Sequence, residues 1–402
     1  MVERIANPIK NILDYKIELT EEHELFRKSV REFTESKVMP RWKEIEESNE
    51  IPKDLWKDIV SAGFVGIGIP EEYGGQGGDM LTAVILIEEL SRGSAAVGST
   101  VSEGLLFVPP ILRWGDEYLK KKYIPPVAKG EARGAHANTE PGAGSDVAAI
   151  QTIAKKINDH YMITGKKIFV TAAGEANYIV VSARTEPPKP DKKWWGITVF
   201  VIERDWPGVK IGRQLKIMGV KGEHHYEIFL DEVKVPQENI VGKVNEGFKI
   251  LMDAYNYSRV TVAAISLGIA QAAFERALDY STKRETFGQK IISHGMVAEK
   301  IADMYMKLEA ARLLTYWAAT LANKNAPQFP LVSSVAKAFA SEASEWISRQ
   351  AMQIHGGYGV DFETGVEKYL RDAIIQSIVD GTNEIQRLSI VKQLLKLLNI
   401  KI

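Results

Sequence analysis

The sequence predicts an α+β chain of more than one domain, helical at both ends with β structure between. Three observations carry that expectation. At 402 residues the chain is longer than one ordinary compact core, so two or three domains are expected. Apolar residues recur at helical spacing in the first and last stretches. Between them lie short runs rich in β-branched and aromatic residues, divided by Gly, Pro, Asp and Lys clusters.

The first region, from 20 to about 130, opens on Thr20 before an acidic turn, a favoured helix cap, and continues through Leu25, Phe26, Val30, Phe33 and Val38. Turn-rich segments such as IPEEYGGQGGD, where glycine permits angles other residues resist, interrupt its helices. The middle region, about 135 to 244, holds HYMITGKKIFV, NYIVVSAR, WWGITVFVIE and YEIFLDEVKV, and reads as an antiparallel sheet or barrel. RTEPPKPDKK is expected as a hairpin tip or exposed loop, because its prolines and charges neither pair in a ladder nor stay buried. From 245 onward long helices return, marked by Ile301, Met304, Leu308 and Ala311, then by Val332, Val335, Phe339, Ala343 and Trp346. Their length points to a bundle, and the Met and aromatic residues on these stripes read as core packing.

Composition narrows the function classes. An apolar share of 45% and a charged share of 26% place the chain among globular proteins, away from disorder. The net charge of -1 gives no overall positive field for nucleic acid or an anionic bilayer, so any phosphate is bound locally. With no cysteine there is no disulfide, thiolate nucleophile or Cys-held metal. The start, MVERIANPIKNILDYK, lacks the apolar stretch of a signal peptide, and the longest uninterrupted apolar runs fall short of a membrane span. A cytoplasmic protein with no membrane insertion, no nucleic-acid partner and no metal is the expectation.

Four segments carry chemistry. Asn138-Thr139-Glu140-Pro141-Gly142-Ala143-Gly144-Ser145-Asp146 is a small turn that lets backbone N–H groups and hydroxyls approach a flat polar ligand; alone it is equally a plain turn. In Arg284-Glu285-Thr286-Phe287-Gly288-Gln289, an Arg beside a hydroxyl and an aromatic suits a phosphate and a ring, or merely closes a helix. Gln353-Ile354-His355-Gly356-Gly357-Tyr358-Gly359 ends a long helix at two glycines, which a helix stop alone explains. In Ile378-Val379-Asp380-Gly381-Thr382-Asn383-Glu384 a carboxylate precedes a helix that Thr382 or Asn383 can cap; in isolation Asp380 reads as a turn residue.

Occurring together, in this order and with helical, β and helical regions around them, the four segments resemble the acyl-CoA dehydrogenase family over nearly the whole chain. The resemblance implies an N-terminal helical domain (1–134), a central antiparallel β-barrel (135–244) and a C-terminal four-helix bundle (245–402). It also implies a homotetramer with FAD held between barrel and bundle, an acyl-CoA substrate and an electron-transfer flavoprotein as acceptor. Carried over by position, Asn138, Thr139 and Gly144 approach the flavin, and Ser145 meets a flavin phosphate or the pantetheine of the thioester. Phe169 and Thr171 line the other side of the flavin, where many relatives have Trp in place of Phe. Arg284, Thr286 and Phe287 take the adenylate half across a subunit interface, Gln353, Gly356 and Gly357 the pyrophosphate, and Thr382 with Glu384 the remaining FAD contacts. Arg259 is implied near the CoA phosphates, with Asn256 and Gly381 at the substrate.

A proton α to a thioester is too weakly acidic to leave unaided, so a carboxylate takes it while the carbonyl oxygen is hydrogen-bonded and a hydride leaves the β-carbon for the flavin. In the family that base stands two residues before the Thr of the last motif and is usually Glu; here it is Asp380. Asp is one methylene shorter, and a base misplaced by about 1 Å costs roughly a hundredfold in rate. Some relatives carry a Glu at the position of Ser258 instead, which serine cannot replace. Asp stands at position 380 in some relatives acting on alicyclic carboxyl-CoA esters and in nitroalkane oxidases. A flavin oxidase of the same fold, and a catalytically silent CoA-binding or partner-binding protein, are therefore carried as alternatives. His224 and His225 have no partner motif and read as a solvated or pocket-lining loop. Gly63, Gly66 and Gly68 fail the dinucleotide fingerprint, which needs a preceding strand and an acidic residue about twenty positions on.

Overall fold

The computed structural model describes residues 17 and 19–400. Segment 1–16, read above as carrying no signal peptide, lies outside the described residues, as do 401 and 402. Helix α1 (Glu21–Phe33) begins where the Thr20 side chain accepts from the His23 N–H and the His23 ring reaches back to the Thr20 backbone. Histidine thus takes the place of Glu or Gln in a capping box. Val30 and Val38 are buried as their spacing predicts, but Leu25 is 63% exposed. A π-helical turn at Thr34–Val38 follows α1. Such a turn holds an extra residue, so the two stretches do not share one continuous face.

Helices α2 (Trp42–Ser48), α3 (Lys53–Ser61), α4 (Met80–Gly93), α5 (Ala95–Trp114) and α6 (Glu117–Ala128) complete the first region. Next come β1 (Gly134–Ala137), β2 (Ile153–Ile157), β3 (His160–Thr171), β4 (Tyr178–Arg184), β5 (Ile197–Glu203), β6 (Val209–Leu215), β7 (His225–Pro236) and β8 (Ile240–Val241). Their order is β6-β7-β3-β2-β4-β5-β8, with β1 beside β4. This corrects the expected closed antiparallel barrel in two respects. β1 and β2 meet β4 in parallel, and the outer strands β6 and β8 do not pair with each other. β8 has only two residues, and β6 slips register against β7 between Ile211 and Gln214, so little ladder remains for closure. The loop between β4 and β5 is exposed as expected. It is anchored by Arg184, which donates to the carbonyls of Ile150 at 2.8 Å, Trp195 at 2.8 Å and Lys193 at 3.1 Å, and also to that of Ala148.

The C-terminal region has three long helices, α7 (Gly247–Lys283), α8 (Gly295–Asn323) and α9 (Phe329–His355), and two shorter ones, α10 (Glu367–Gln376) and α11 (Asn383–Leu397). A small hairpin, β9 (Glu285–Thr286) with β10 (Gln289–Lys290), joins α7 to α8. Both short helices pack on α9, and the break between them, 377–382, holds Asp380. α7 also runs close against α4: a Cβ on Gly268 would come within 2.4 Å of the Glu88 carbonyl oxygen. The acids that α4 buries are paired, Glu88 with Arg312 at 3.0 Å and Glu89 with Arg31 at 2.6 Å. α5 is the one helix among the described residues long and apolar enough to cross a membrane by length and composition. It packs against α4, α7 and β1 with 61% of its apolar stretch buried, the behaviour of a core helix.

Candidate active site

A cavity of about 1710 Å³ opens where the sheet, α5, α7 and the α10–α11 break come together. Asn138, Thr139, Gly144, Ser145, Phe169, Thr171, Asn256, Arg259, Asp380, Gly381 and Thr382 all line it. The sheet side begins with loop 138–146. Glu140 and Ala143 exchange both backbone hydrogen bonds at 3.0 Å, which folds the loop back on itself. The Glu140 carboxylate then accepts from the N–H of Gln151 at 2.6 Å and Thr152 at 3.0 Å, and pairs with Lys167 Nζ at 2.8 Å. Lys167 Nζ also donates to the Asn138 carbonyl at 3.1 Å, and Ser182 Oγ to Asn138 Oδ1 at 2.6 Å. Burial opposes the charge on Glu140, but Lys167 and the donors around it more than offset that and hold its pKa below the usual range. For Lys167 burial wins, and its pKa falls to about 8. With Glu140 turned inward, the loop presents bare backbone at its glycines: a Cβ at Gly142 or Gly144 would meet nothing within 4 Å.

The helical side is built on the break. Asp380 and Gly381 have φ of 53° and 92°, consecutive left-handed angles that stop α10 from running into α11. Thr382 caps α11, its side chain accepting from the Ile385 N–H at 3.5 Å. Lys337 Nζ, reaching from the buried face of α9, donates to the Gly381 carbonyl and to Asn383 Oδ1, both at 3.0 Å. Gln386 Nε2 donates to the same carbonyl at 2.8 Å. The Asp380 carboxyl faces the cavity and is desolvated, which raises its pKa above the usual range even though Ser258 hydrogen-bonds it and Lys337 and Arg259 favour its charge. Arg259 bonds Asn256 Oδ1 at 2.8 Å and Ser334 Oγ at 3.3 Å, leaves its buried Nε unpartnered, and is lowered by burial to about 10. Burial likewise lowers Lys337 to about 8.

Five further residues at the cavity or behind it escape a motif reading. Glu103 from α5, His136 from β1, Glu223 before β7 and Tyr255 from α7 line the cavity, and Lys337 stands behind Asp380. The buried His136 ring, both nitrogens unpartnered, is lowered to about 4 and meets Tyr255 edge to face at 5.9 Å. A single Glu or Lys inside an otherwise apolar helical stretch, as in SEGLLF or AKAF, is the one signal the sequence offers. His225 lines the cavity, with Nδ1 3.1 Å from Thr171 Oγ1, whereas His224 faces away to Glu175 at 2.7 Å and to the Asn49 carbonyl at 2.7 Å.

Arg284, Thr286, Phe287, Gln353, Gly356, Gly357 and Glu384 do not line the cavity within this chain. Phe287 is 98% exposed on the β9–β10 hairpin, and a Cβ at Gly288, Gly356 or Gly357 would meet nothing within 4 Å.

Family models for the N-terminal, middle and C-terminal domains of acyl-CoA dehydrogenases match residues 20–131, 135–233 and 245–395. The chain belongs to the acyl-CoA dehydrogenase family. It is 41% identical over 378 residues to an acyl-CoA dehydrogenase of Bacillus subtilis (strain 168), across 94% of this chain and 99% of that protein. It is 39% identical over 384 residues to the 3-(aryl)acrylate reductase of Clostridium sporogenes (strain ATCC 15579), again across 94% and 99%. Among solved structures, butyryl-CoA dehydrogenase from Megasphaera elsdenii superimposes with a TM-score of 0.90 at 37% identity, covering 94% of this chain and 100% of that one. The acyl-CoA dehydrogenase family consists of FAD-dependent oxidoreductases. The residues present fit that cofactor: bare glycine backbone at loop 138–146, hydroxyls of Thr139, Ser145 and Thr171 on the cavity wall, and an ample volume.

Proposed function

We propose that this chain catalyses α,β-dehydrogenation of an acyl-CoA thioester, with Asp380 taking the α-proton. The observation that carries the reading is Asp380 itself: a desolvated carboxyl facing the cavity at a helix break, fixed through its neighbours by Lys337 and Gln386. Desolvation strengthens it as a base, and Ser258, Lys337 and Arg259 keep it ionisable. Thr139, Ser145, Phe169, Thr171 and Thr382 would hold FAD, which would supply the hydride acceptor. Asn256, Arg259 and Gly381 are assigned to the substrate. Ser258 supports the carboxyl from the position where some relatives carry their base, and the shorter aspartate side chain calls for a substrate that approaches it closely.

The reductase relative favours a second direction, since reducing an unsaturated acyl group is the same bond change in reverse. Anaerobic flavin bleaching by straight-chain, branched and alicyclic acyl-CoA esters, with a nitroalkane as control, tests the leading reading. Bleaching by one thioester class supports it, whereas bleaching by the nitroalkane alone overturns it. Mixing the reduced enzyme with an enoyl-CoA measures the reverse direction. Reoxidation by an electron-transfer flavoprotein rather than rapidly by oxygen separates dehydrogenase from oxidase. A homotetramer is proposed with it, supported by the exposed Met296, Tyr305, Met306 and Leu313 on α8, and sedimentation measures it.

A pH profile gives a sharper expectation. Because burial raises Asp380, the rate of flavin reduction should rise with pH through an acid limb above the usual carboxylate range. Lys337 favours the charged carboxylate, so removing its cation raises that pKa further. Lys337→Gln should therefore move the acid limb to higher pH, measured by anaerobic stopped flow on FAD-loaded protein. A limb that stays in place would separate Lys337 from the base.

A further inference from the structure

Three carboxyl groups from distant parts of the chain converge on the cavity, and the proton abstraction proposed above uses only Asp380. Glu103 comes from the middle of α5, Glu223 from the segment before β7, and Asp380 from the α10–α11 break; all three line the cavity, with Glu223 and Asp380 near enough to act on Glu103. Glu223 has partners: its Oε1 accepts from Ser99 Oγ at 2.5 Å, and its Oε2 lies 3.5 Å from His225 Nε2. Glu103 is less well served. Thr171 is its hydrogen-bonding neighbour, and its Oε2 is buried without any partner. Its charge is disfavoured first by burial and then by Glu223 and Asp380, with Arg133 acting weakly against them. Arg133 does not line the cavity and lies over the Trp56 ring at 4.0 Å. No group of three or more acidic, His or Cys side chains among the described residues is arranged to hold a metal ion, so a cation of that kind does not explain the cluster.

A buried acceptor without a donor is costly to leave unmade. A plain hydrocarbon chain entering this cavity would offer Glu103 no donor. A chain carrying a hydroxyl or an ammonium group would bring a donor to the Glu103 side chain, and an ammonium would also favour the charged form that burial, Glu223 and Asp380 disfavour. A site built to hydrogen-bond a substrate group discriminates strongly against the analogue that lacks it.

We propose that Glu103, with Glu223 beside it, is a specificity-determining residue that accepts a hydrogen bond from a hydroxyl or ammonium group on the acyl part of the substrate. The inference rests on the acyl-CoA reading, and it extends that reading from the thioester to the acyl group itself.

The test compares length-matched thioesters on the FAD-loaded enzyme: hexanoyl-CoA, 6-hydroxyhexanoyl-CoA and 6-aminohexanoyl-CoA, with the pentanoyl set to vary reach. The wild type should favour a donor-bearing member over its plain counterpart in kcat/KM by about 10- to 100-fold. Glu103→Leu should reverse the order, losing the donor-bearing substrate and gaining the plain one. Glu103→Gln, closer in shape, should keep a hydroxyl preference and lose an ammonium preference, which identifies the donor. A wild type that favours the plain chain, or a preference ratio that Glu103→Leu leaves unchanged, overturns the inference. So does loss of turnover on every substrate in Glu103→Gln while Asp380→Asn keeps it, because Glu103 would then be the base. Equilibrium binding of the same thioesters, followed by the flavin spectrum, gives the ratio without turnover. Tighter, Glu103-dependent binding with no reduction would keep this inference and discard the reaction; equal binding would do the opposite.

Discussion

Asp380→Asn should lower the rate of flavin reduction by an acyl-CoA at least about 10³-fold while FAD stays bound. The substitution keeps the shape and replaces the carboxylate, which takes a proton, with an amide, which does not. It does not touch the features that hold the break: Lys337 and Gln386 bind the Gly381 carbonyl, and Thr382 caps α11. Stability and cofactor content should therefore be close to those of the parent. The loss should fall on the rate of reduction and leave thioester binding largely intact, because a base acts in the transition state more than in the ground state. Single-turnover reduction under anaerobic conditions measures it, and a rate within tenfold of the parent would remove Asp380 from the role. Asp380→Glu adds one methylene at the same position. If the native substrate approaches closely, the longer side chain overreaches it and improves turnover of straight-chain esters at the expense of cyclic ones.

How far the sequence reaches is visible in these residues. The helical, β and helical regions are legible because periods of 3.6 and 2 are local properties of a few turns or a few strand residues. The openness of the sheet is not, because closure depends on whether β6 and β8 find each other across the chain, and on slips such as that between Ile211 and Gln214. Asp380 is singled out through the family resemblance, which places a base two residues before the Thr of its last motif, a span of three residues. Glu103 and Glu223 lie far from it in the sequence, and only the packing of α5 and the segment before β7 makes them its neighbours. Lys337 looks like a surface lysine on a helix until α11 folds over it. Thr20 as a cap is legible, but its reciprocal partner His23 stands where Glu or Gln is the expected type.

Lys167→Met should destabilise the fold by about 3–5 kcal/mol and lower FAD occupancy with it. Lys167 has no exposed surface, and its three hydrogen-bond partners are Glu140, the Asn138 carbonyl and, at 3.4 Å, Ser182 Oγ. Methionine fills the stem of the side chain but leaves the Glu140 carboxylate, only 7% exposed, without its paired cation and the Asn138 carbonyl without this donor. Forming the native pair already carries a large desolvation cost, visible in the fall of Lys167 to about 8. Removing one partner leaves that cost on the other, which is why the loss exceeds the net worth of the pair. Loop 138–146 depends on this charge for its course past the cavity, so the structural loss and the cofactor loss should appear in one transition. Chemical denaturation followed together by flavin fluorescence and far-UV circular dichroism measures both. Adding Glu140→Gln should recover part of the loss, since a neutral amide removes the stranded charge and its single oxygen still accepts from one of the Gln151 and Thr152 N–H groups, which meet different carboxylate oxygens. Losses that simply add would show that the two side chains act independently, and that loop 138–146 is held by its backbone turn alone.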